Sequence, residues 1–306
     1  MKTLKLVPTK TAIGFVRHHL TAFVLSLVFI LGSVATLAGN GLNFGIDFRG
    51  GTLIEVSAPQ DIDIAALRGQ LNAMQLGEVQ IQLFGAPNDA LIRVAEAPDA
   101  VSAQSDLNNV ARIRAALEQD YEIRRVEIVG PQVSRELIES GITAVLVAIA
   151  SMLIYIWFRF EWQFSVGAVL ALVHDVVLTL GVFSLLQLDF NLSILAAILT
   201  IVGYSMNDTV VVYDRVRENL RKFKKMELSD LLDLAINETL SRTVMTSVTT
   251  LLALTALYVF GGEVIRGFTF AMIWGVFIGT YSSIFIAAPL LLRLGVKRDW
   301  SGTQTN

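Results

Sequence analysis

Six long and almost uncharged apolar runs constrain the fold of this chain more than any other feature. Four of them contain no charged residue: Leu20–Ile46, Gly141–Phe158, Thr243–Gly262 and Gly267–Leu292. Trp162–Leu188 and Phe190–Tyr213 are equally apolar but contain acidic residues. About 18 apolar residues are enough for a helix to cross the bilayer. The sequence therefore predicts an α-helical integral membrane protein with six transmembrane helices, and a composition of 54% hydrophobic and 17% charged residues excludes a soluble globular enzyme.

Lysine and arginine are distributed unevenly between the two sets of short connections. Fifteen of them flank the spans on the side of the termini, whereas the short loops on the other side contain only Arg266. Because cytoplasmic loops are enriched in these residues, both termini are expected in the cytoplasm and the large loop in the periplasm. The predicted order is an N-terminus at 1–19, spans at 20–38, 137–158, 164–187, 190–213, 243–261 and 267–292, a periplasmic domain at 39–136, a cytoplasmic linker at 214–242 and a tail at 293–306.

The long loop between the first two spans has patterns typical of a small folded domain. Alternating and helical periodicities predict strands at 52–57, 79–84, 91–95 and 123–129, and helices at 64–74 and 107–117. The order βαββαβ is that of a ferredoxin-like α+β domain. In the cytoplasmic linker, Ser229 followed by Asp230 and Asp233 predicts a helix start, and the apolar side of that helix favours a position on the inner leaflet.

Asp208 is the strongest candidate among the ionisable residues within the predicted spans, and it lies about 17 residues, or roughly 25 Å, from the outer end of its span. An ionisable group there costs about 2.5–3.5 kcal/mol to insert and usually has a function. Tyr204 and Ser205 share its helix face and Asn207 is adjacent. An aspartate buried in this way is expected to take up and release a proton.

Arg242 stands where the fifth span begins, so that it and Asp208 are expected at a similar depth. Thr246, Thr249 and Thr250 follow it at helical spacing and predict a hydroxyl stripe. Two interpretations remain open. The Asp208–Arg242 pair forms and breaks as the aspartate titrates, or it is a permanent bridge that joins two helices.

His174 and Asp175 lie near the middle of the third span. As neighbours they are expected to point about 100° apart and not to act as one coordinating pair. A functional and a purely structural interpretation of this pair both remain open, and in the functional one Asp175 belongs to the proton path and His174 is a supporting polar residue. Metal and cofactor sites are not expected, because no metal-ligand spacing or nucleotide motif is present. In the sixth span, Gly275, Gly279 and Ser283 predict close helix packing.

The chain resembles the SecF proteins, which are protein-export membrane proteins of the SecD/SecF family within the resistance-nodulation-division superfamily. The resemblance lies in Val129-Gly130-Pro131, His174-Asp175, Tyr213-Asp214-Arg215, Arg242-Thr243 and two more specific blocks. These two are Gly45-Ile46-Asp47-Phe48-Arg49-Gly50-Gly51 after the first span and the stretch Val202–Thr209, which contains Asn207-Asp208-Thr209.

The resemblance implies a function and partners. The family assists translocation of unfolded preproteins across the bacterial inner membrane through the Sec pathway, using the proton-motive force beside the SecYEG channel, with SecD and commonly YajC. It implies a proton path through Asp208 and Arg242, no covalent catalysis and no binding of nucleic acid. Segments 40–48 and 131–135 would transmit motion of the bundle to the outer domain. Two alternatives remain, a proton-driven efflux transporter half of the same superfamily and a structural subunit without proton chemistry.

Overall fold

The structure is a computed structural model that describes residues 11–74, 79–94 and 103–296. The basic residues expected at the extreme N-terminus and in the tail, at 1–10 and 297–306, lie outside the described residues, as does Ala95 of the predicted third strand. The chain divides into two compact units. Unit 1 contains 1–43, 144–188 and 193–306, and unit 2 contains 44–143 together with the short segment 189–192.

Six helical segments are long and apolar enough to cross a membrane, which confirms the predicted number within the described ranges. They are α1 (His19–Gly39), α5 (Pro131–Arg159), α6 (Trp162–Leu186), α7 (Leu192–Lys222), α8 (Leu228–Phe260) and a last segment made of α9 (Arg266–Ser282), a π-helical turn (Ser283–Ala287) and α10 (Ala288–Leu294). The π turn precedes Pro289, which has no N–H group to donate and whose ring disturbs the turn before it.

The predicted linker differs from the structure at both of its ends. Helix α7 continues to Lys222, and α8 runs without interruption from Leu228 through the fifth span. The residue that precedes α8 is Glu227, which makes no side-chain capping bond, so the prediction of a cap at Ser229 was wrong. Helix α8 begins with polar residues and continues with apolar ones. This change in polarity does not divide it into two helices, because no residue at the transition interrupts the backbone hydrogen bonds.

The spans of unit 1 differ in how far neighbouring helices cover them. Helices α6 and α7 and the last segment are at least half buried within the apolar stretch, whereas α1, α5 and α8 are mostly exposed. The core contains Phe164 of α6, Tyr213 of α7 and Ile236 of α8. Small residues allow close packing, since a Cβ on Gly275 or Gly279 would lie under 3.0 Å from Ile201 or Ser205 of α7. The predicted packing role of these two glycines is confirmed.

Unit 2 contains a four-stranded sheet and two helices in the order βαββαβ, as the sequence predicted. The short strands β1 (Asn43–Phe44) and β6 (Asp189–Phe190) lie outside this sheet. The strands of the sheet are β2 (Gly51–Ser57), β3 (Val79–Phe84), β4 (Ala86–Val94) and β5 (Glu122–Val129), and the helices are α3 (Ile64–Asn72) and α4 (Ala103–Leu117). The sheet order is β3-β4-β2-β5 with antiparallel neighbours, the arrangement of a split βαβ unit. Strand β4 begins earlier than predicted, because Pro87, Asn88 and Asp89 have low strand propensity and conceal its start.

The core of unit 2 lies between one face of the sheet and the two helices. Ile54 of β2 and Ile92 of β4 pack with Leu71 of α3 and Leu117 of α4, all almost fully buried. Asp63 caps α3 by accepting hydrogen bonds from the N–H groups of the second and third helical residues at 2.9 and 3.1 Å. Burial raises the pKa of Tyr121, and the nearby carboxylates of Asp120 and Asp63 add to the effect.

Candidate functional site

Asp175 joins three membrane helices of unit 1 through its carboxylate. The side chain is 1% exposed, and its Oδ2 accepts hydrogen bonds from Ser205 Oγ of α7 at 2.6 Å and Ser282 Oγ of α9 at 2.8 Å. Ser282 is the last residue of α9 before the π turn, a feature that often marks functional sites. A buried carboxylate that holds two hydroxyl donors on two other helices links the positions of α6, α7 and α9.

His174 takes part in the same cluster, contrary to the expectation that the two neighbours point apart. Its Nδ1 lies 2.9 Å from Oδ1 of Asp175, and both side chains are buried. The 100° angle separates the Cα–Cβ bonds, but the imidazole is long enough to reach back to the carboxylate. Its ring stacks on Tyr281 at 6.1 Å between centroids, while Nε2 is buried without a hydrogen-bond partner.

Asp208 is buried at 4% exposure, and its Oδ2 has no hydrogen-bond partner. It lies sixteen positions from the first residue of α7, about 24 Å along the helix. The buried hydroxyl of Thr243 on α8 acts on the carboxylate of Asp208. Arg242 interacts with Asp208 electrostatically, yet these two described residues form no ion pair within 4.0 Å. The permanent bridge that the sequence left open is therefore absent from this arrangement.

The remaining predicted residues of α7 and α8 divide between buried and exposed positions. Tyr204 has a buried hydroxyl without a hydrogen-bond partner. Asn207 and Arg242 are exposed and line one cleft. Thr246 donates to the carbonyl oxygens of Arg242 and Thr243, and Thr249 donates to those of Met245 and Thr246. Both hydroxyls of the predicted stripe are therefore bonded within their own helix.

The backbone conformation explains why two glycines follow the first span. Gly50 and Gly51 have φ values of 75° and 111°, a region that residues with a Cβ rarely adopt. They end the short helix α2 (Ile46–Arg49) and begin β2. Gly45 permits a close approach within unit 2, since a Cβ there would lie 3.3 Å from the Cβ of Asn191. Arg49 is exposed, and its backbone N–H donates to the carbonyl oxygen of Gly45 at 3.2 Å.

Residues 189–192, here called the anchored loop, belong to unit 2 although they join α6 to α7. The N–H of Gly45 donates to the carbonyl of Phe190 at 2.8 Å. Oδ2 of Asp47 accepts a hydrogen bond from the N–H of Leu192 at 2.8 Å, so Asp47 caps the start of α7. Asp189 forms an ion pair with Arg93 of β4, whose side chain is 11% exposed. Asp47 therefore has a structural role that its motif alone did not indicate.

Sequence reasoning missed four residues of these two clusters. Ser282 and Tyr281 stand in a span that was interpreted only as a packing surface. Asp189 is an acid in a very short loop, and Arg93 is the one charged residue in the apolar stretch Leu91–Val94 of β4. An isolated charge in a strand that is otherwise apolar was the available signal, since such residues are rarely buried without a partner. The partner is distant in sequence and could not be identified without the structure.

Comparison with known proteins assigns the chain to a family. Residues 109–297 match the family described as protein export membrane protein SecD/SecF, C-terminal, and residues 36–60 match the SecD/SecF GG motif. A relative from Rhodobacter capsulatus, named protein translocase subunit SecF, is 47% identical over 97% of this chain and 93% of its own length. Another of the same name, from Cereibacter sphaeroides, is 48% identical over 96% of this chain and 93% of its own.

Two solved structures are similar over nearly the whole chain. The crystal structure of SecDF from Thermus thermophilus, a translocon-associated membrane protein, has a TM-score of 0.85 and 33% identity over 94% of this chain. SecDF in a super-membrane-facing form has a TM-score of 0.69 and 36% identity over 95% of it. The chain spans only about two fifths of these SecDF chains, 39% and 40% respectively. On this evidence the chain belongs to the SecD/SecF family of protein-export membrane proteins.

Proposed function

We propose that this chain is a SecF-type subunit that works with a SecD partner and uses the proton-motive force to assist export of unfolded proteins across the inner membrane. The observation that carries the proposal is the buried Oδ2 of Asp208, which has no hydrogen-bond partner. The ionised form of a carboxylate is costly in a buried position when no ion pair compensates it. The arrangement therefore favours a group that exchanges a proton, and Asp175 and Arg242 act with it on the proton path.

Exposed polar residues on α7 and α8 support a partner half. Arg242 and Asn207 are exposed although they are polar residues in segments long enough to span a membrane, and polar groups at such positions usually face protein or water. Transporters of this kind form their sites between two related halves. The chain also corresponds to about two fifths of the SecDF chains, which supports SecD as that half. SecYEG, YajC and the unfolded preprotein are further proposed partners, on the basis of the family.

The assignment of residues to units supports the proposed topology. The loop at 39–136 and the connection near 189–192 are both predicted to lie in the periplasm, and unit 2 includes residues from both. In this scheme the βαββαβ domain is periplasmic and both termini are cytoplasmic.

The anchored loop supports a route by which α7 acts on the outer domain. Asp47 caps the first residue of α7, and Asp189 is paired with Arg93 of the sheet. Protonation of Asp208 would change its interaction with Arg242 and shift α7 within the bundle. The cap and the ion pair would transmit this shift to the sheet, in addition to the segments 40–48 and 131–135.

The test is proton-dependent export in inner-membrane vesicles that contain the full chain with SecD and SecYEG. Asp208→Asn keeps the shape of the side chain but cannot exchange a proton, so we expect assembly to persist and the stimulation of export by the proton-motive force to be lost. Asp230→Asn makes the same chemical change at an exposed position of α8 and should export normally. Unchanged proton-dependent export by the Asp208 variant would refute the proposal.

A further inference from the structure

The four-stranded sheet of unit 2 ends in two outer strands, β3 and β5. The strand order β3-β4-β2-β5 places no other strand that the structure describes beside the outer side of either one. In an antiparallel pair, every second residue turns both its N–H and its C=O away from the neighbouring strand. The six residues of β3 therefore offer about three such pairs of groups with which another extended chain can form hydrogen bonds.

The two outer strands differ in composition. Strand β5 contains four charged residues, namely Glu122, Arg124, Arg125 and Glu127. Strand β3 has the sequence Val-Gln-Ile-Gln-Leu-Phe, which contains no charged residue and no proline. Charged residues and proline on an edge strand keep other chains from pairing with it, whereas valine, isoleucine and phenylalanine favour extended structure. Strand β3 therefore has the composition of an edge that accepts a further strand, and β5 has the composition of an edge that rejects one.

A groove with a volume of about 290 Å³ lies beside β3 and is called the edge groove here. Its lining contains four consecutive residues of β3, at 79–82, together with Leu91 and Arg93 of β4 and Arg68 of α3. No carboxylate belongs to this lining. A space that follows consecutive residues of an outer strand is the space that an added strand occupies, because its backbone must run alongside that strand.

The two arginines of the edge groove differ in whether their charge is compensated. Arg93 is paired with Asp189, and Gln82 donates a hydrogen bond to the same carboxylate at 3.1 Å. Arg68 is exposed, and its guanidinium forms no ion pair with any residue in the described ranges. Guanidinium groups form strong hydrogen bonds with carboxylates. The charge of Arg68 is therefore complementary to an acidic side chain on a strand that lies in the groove.

We propose that the outer side of β3 binds an extended segment of an unfolded polypeptide as an additional strand of the sheet. Backbone hydrogen bonds supply the affinity in this mode of recognition. Since every sequence has the same backbone groups, chains of different sequence can be held in turn, and Arg68 adds a preference for segments with an acidic side chain. The inference rests on the proposed function only in identifying the bound polypeptide as a protein that is being exported.

The test uses single cysteines, because the chain has none of its own. Leu83→Cys marks β3 and Ile128→Cys marks β5, at positions where the native side chains are 48% and 39% exposed. The probe is a short soluble peptide of alternating threonine and valine with a central aspartate and a flanking cysteine, added to the full chain in detergent micelles. Each rate of disulfide formation is divided by the rate of the same variant with free cysteine. We expect the ratio to be about tenfold higher at Leu83→Cys, as one or two net hydrogen bonds would produce.

A second pair of variants tests the charge of the edge groove in the Leu83→Cys chain. Arg68→Gln should weaken binding of the aspartate peptide by up to about fivefold, as an exposed ion pair allows, and should not change binding of the same peptide with asparagine. Arg114→Gln is the matched control, because this exposed arginine stands on α4 and does not line the groove. Equal losses in the two variants would show a general attraction between charges and would contradict the proposal.

Three outcomes would overturn the proposal while leaving the proposed function intact. The first is equal cross-linking at the two edges, and the second is a bound peptide whose isotope-labelled carbonyl groups show no β-strand band in the infrared spectrum. The third is loss of the cross-link when SecD is added, which would assign the β3 edge to the partner subunit. Normal proton-dependent export by Asp208→Asn would instead refute the proposed function and leave the binding of the peptide to β3 as it was.

Discussion

Gly279 of α9 provides the most direct test of how the Asp175 cluster is held together. An ideal Cβ on Gly279 would lie 2.9 Å from the Cβ of Ser205 and 3.3 Å from its Cα, whereas carbon atoms pack best at about 3.5–4.0 Å. Gly279→Ala therefore requires the two helices to separate by about 0.6–1.1 Å at this point. A change of rotamer cannot relieve the contact, because the Cα of Ser205 belongs to the backbone.

The separation would act directly on Asp175. Oδ2 of Asp175 lies 2.6 Å from the hydroxyl of Ser205 on α7 and 2.8 Å from that of Ser282 on α9. When α7 and α9 move apart by that amount, the carboxylate cannot keep both bonds within the range of about 2.5–3.0 Å. Overpacking a tight contact costs about 1–3 kcal/mol, while replacing glycine by alanine inside a helix contributes about 0.8–1.0 kcal/mol in the opposite direction. We therefore expect Gly279→Ala to lower both the free energy of unfolding and the rate of proton-dependent export.

Gly203→Ala is the matched control, because nothing lies within 4 Å of the Cβ it would add to α7. It should gain the helix propensity of alanine without any clash. The two variants should differ by about 1–3 kcal/mol in the free energy of unfolding, measured by denaturant titration of the purified chain in detergent micelles. Equal stability and equal export for the two variants would refute the reasoning, since the close contact would then not position Ser205.

Three further predictions concern unit 2. Asp189→Asn leaves the mostly buried guanidinium of Arg93 without its ion pair, which should cost about 1–3 kcal/mol and speed amide hydrogen exchange in β4, and unchanged exchange there would contradict the pairing. Asp47→Ala removes the cap of α7 at Leu192 and should cost about 1 kcal/mol, seen as faster exchange in the first turn of that helix only. The pKa of Tyr121 is raised by burial, so the neutral phenol is favoured in the folded state, and its contribution to stability is complete below about pH 10 and lost above it. Tyr121→Phe should flatten that alkaline decline in circular dichroism, and an equally steep decline would contradict the assignment.

The sequence by itself determined the features that depend on local pattern. Six apolar runs predicted six membrane helices, and alternation in the large loop predicted the βαββαβ order, because burial requires a period of about 3.6 residues in a helix and 2 in a strand. The isolated charge of Asp208 could also be recognised from the sequence, since an acidic residue stands out in an apolar run whichever face of the helix it lies on. The two glycines at 50 and 51 were recognised as a motif, although their positive φ angles were not.

Tertiary structure alone decided which of these residues meet. Asp175 bonds to Ser205 and Ser282 on two other helices, Asp47 caps a helix that begins far along the chain, and Arg93 finds Asp189. Asp208 and Arg242 do not form an ion pair, although both lie in the membrane helices to which the sequence assigned them. Such pairings depend on how helices rotate and how closely they approach, which is set by distant small residues such as Gly279. Periodicity defines which face of a helix is polar, but the partner of that face is determined only when the helices pack.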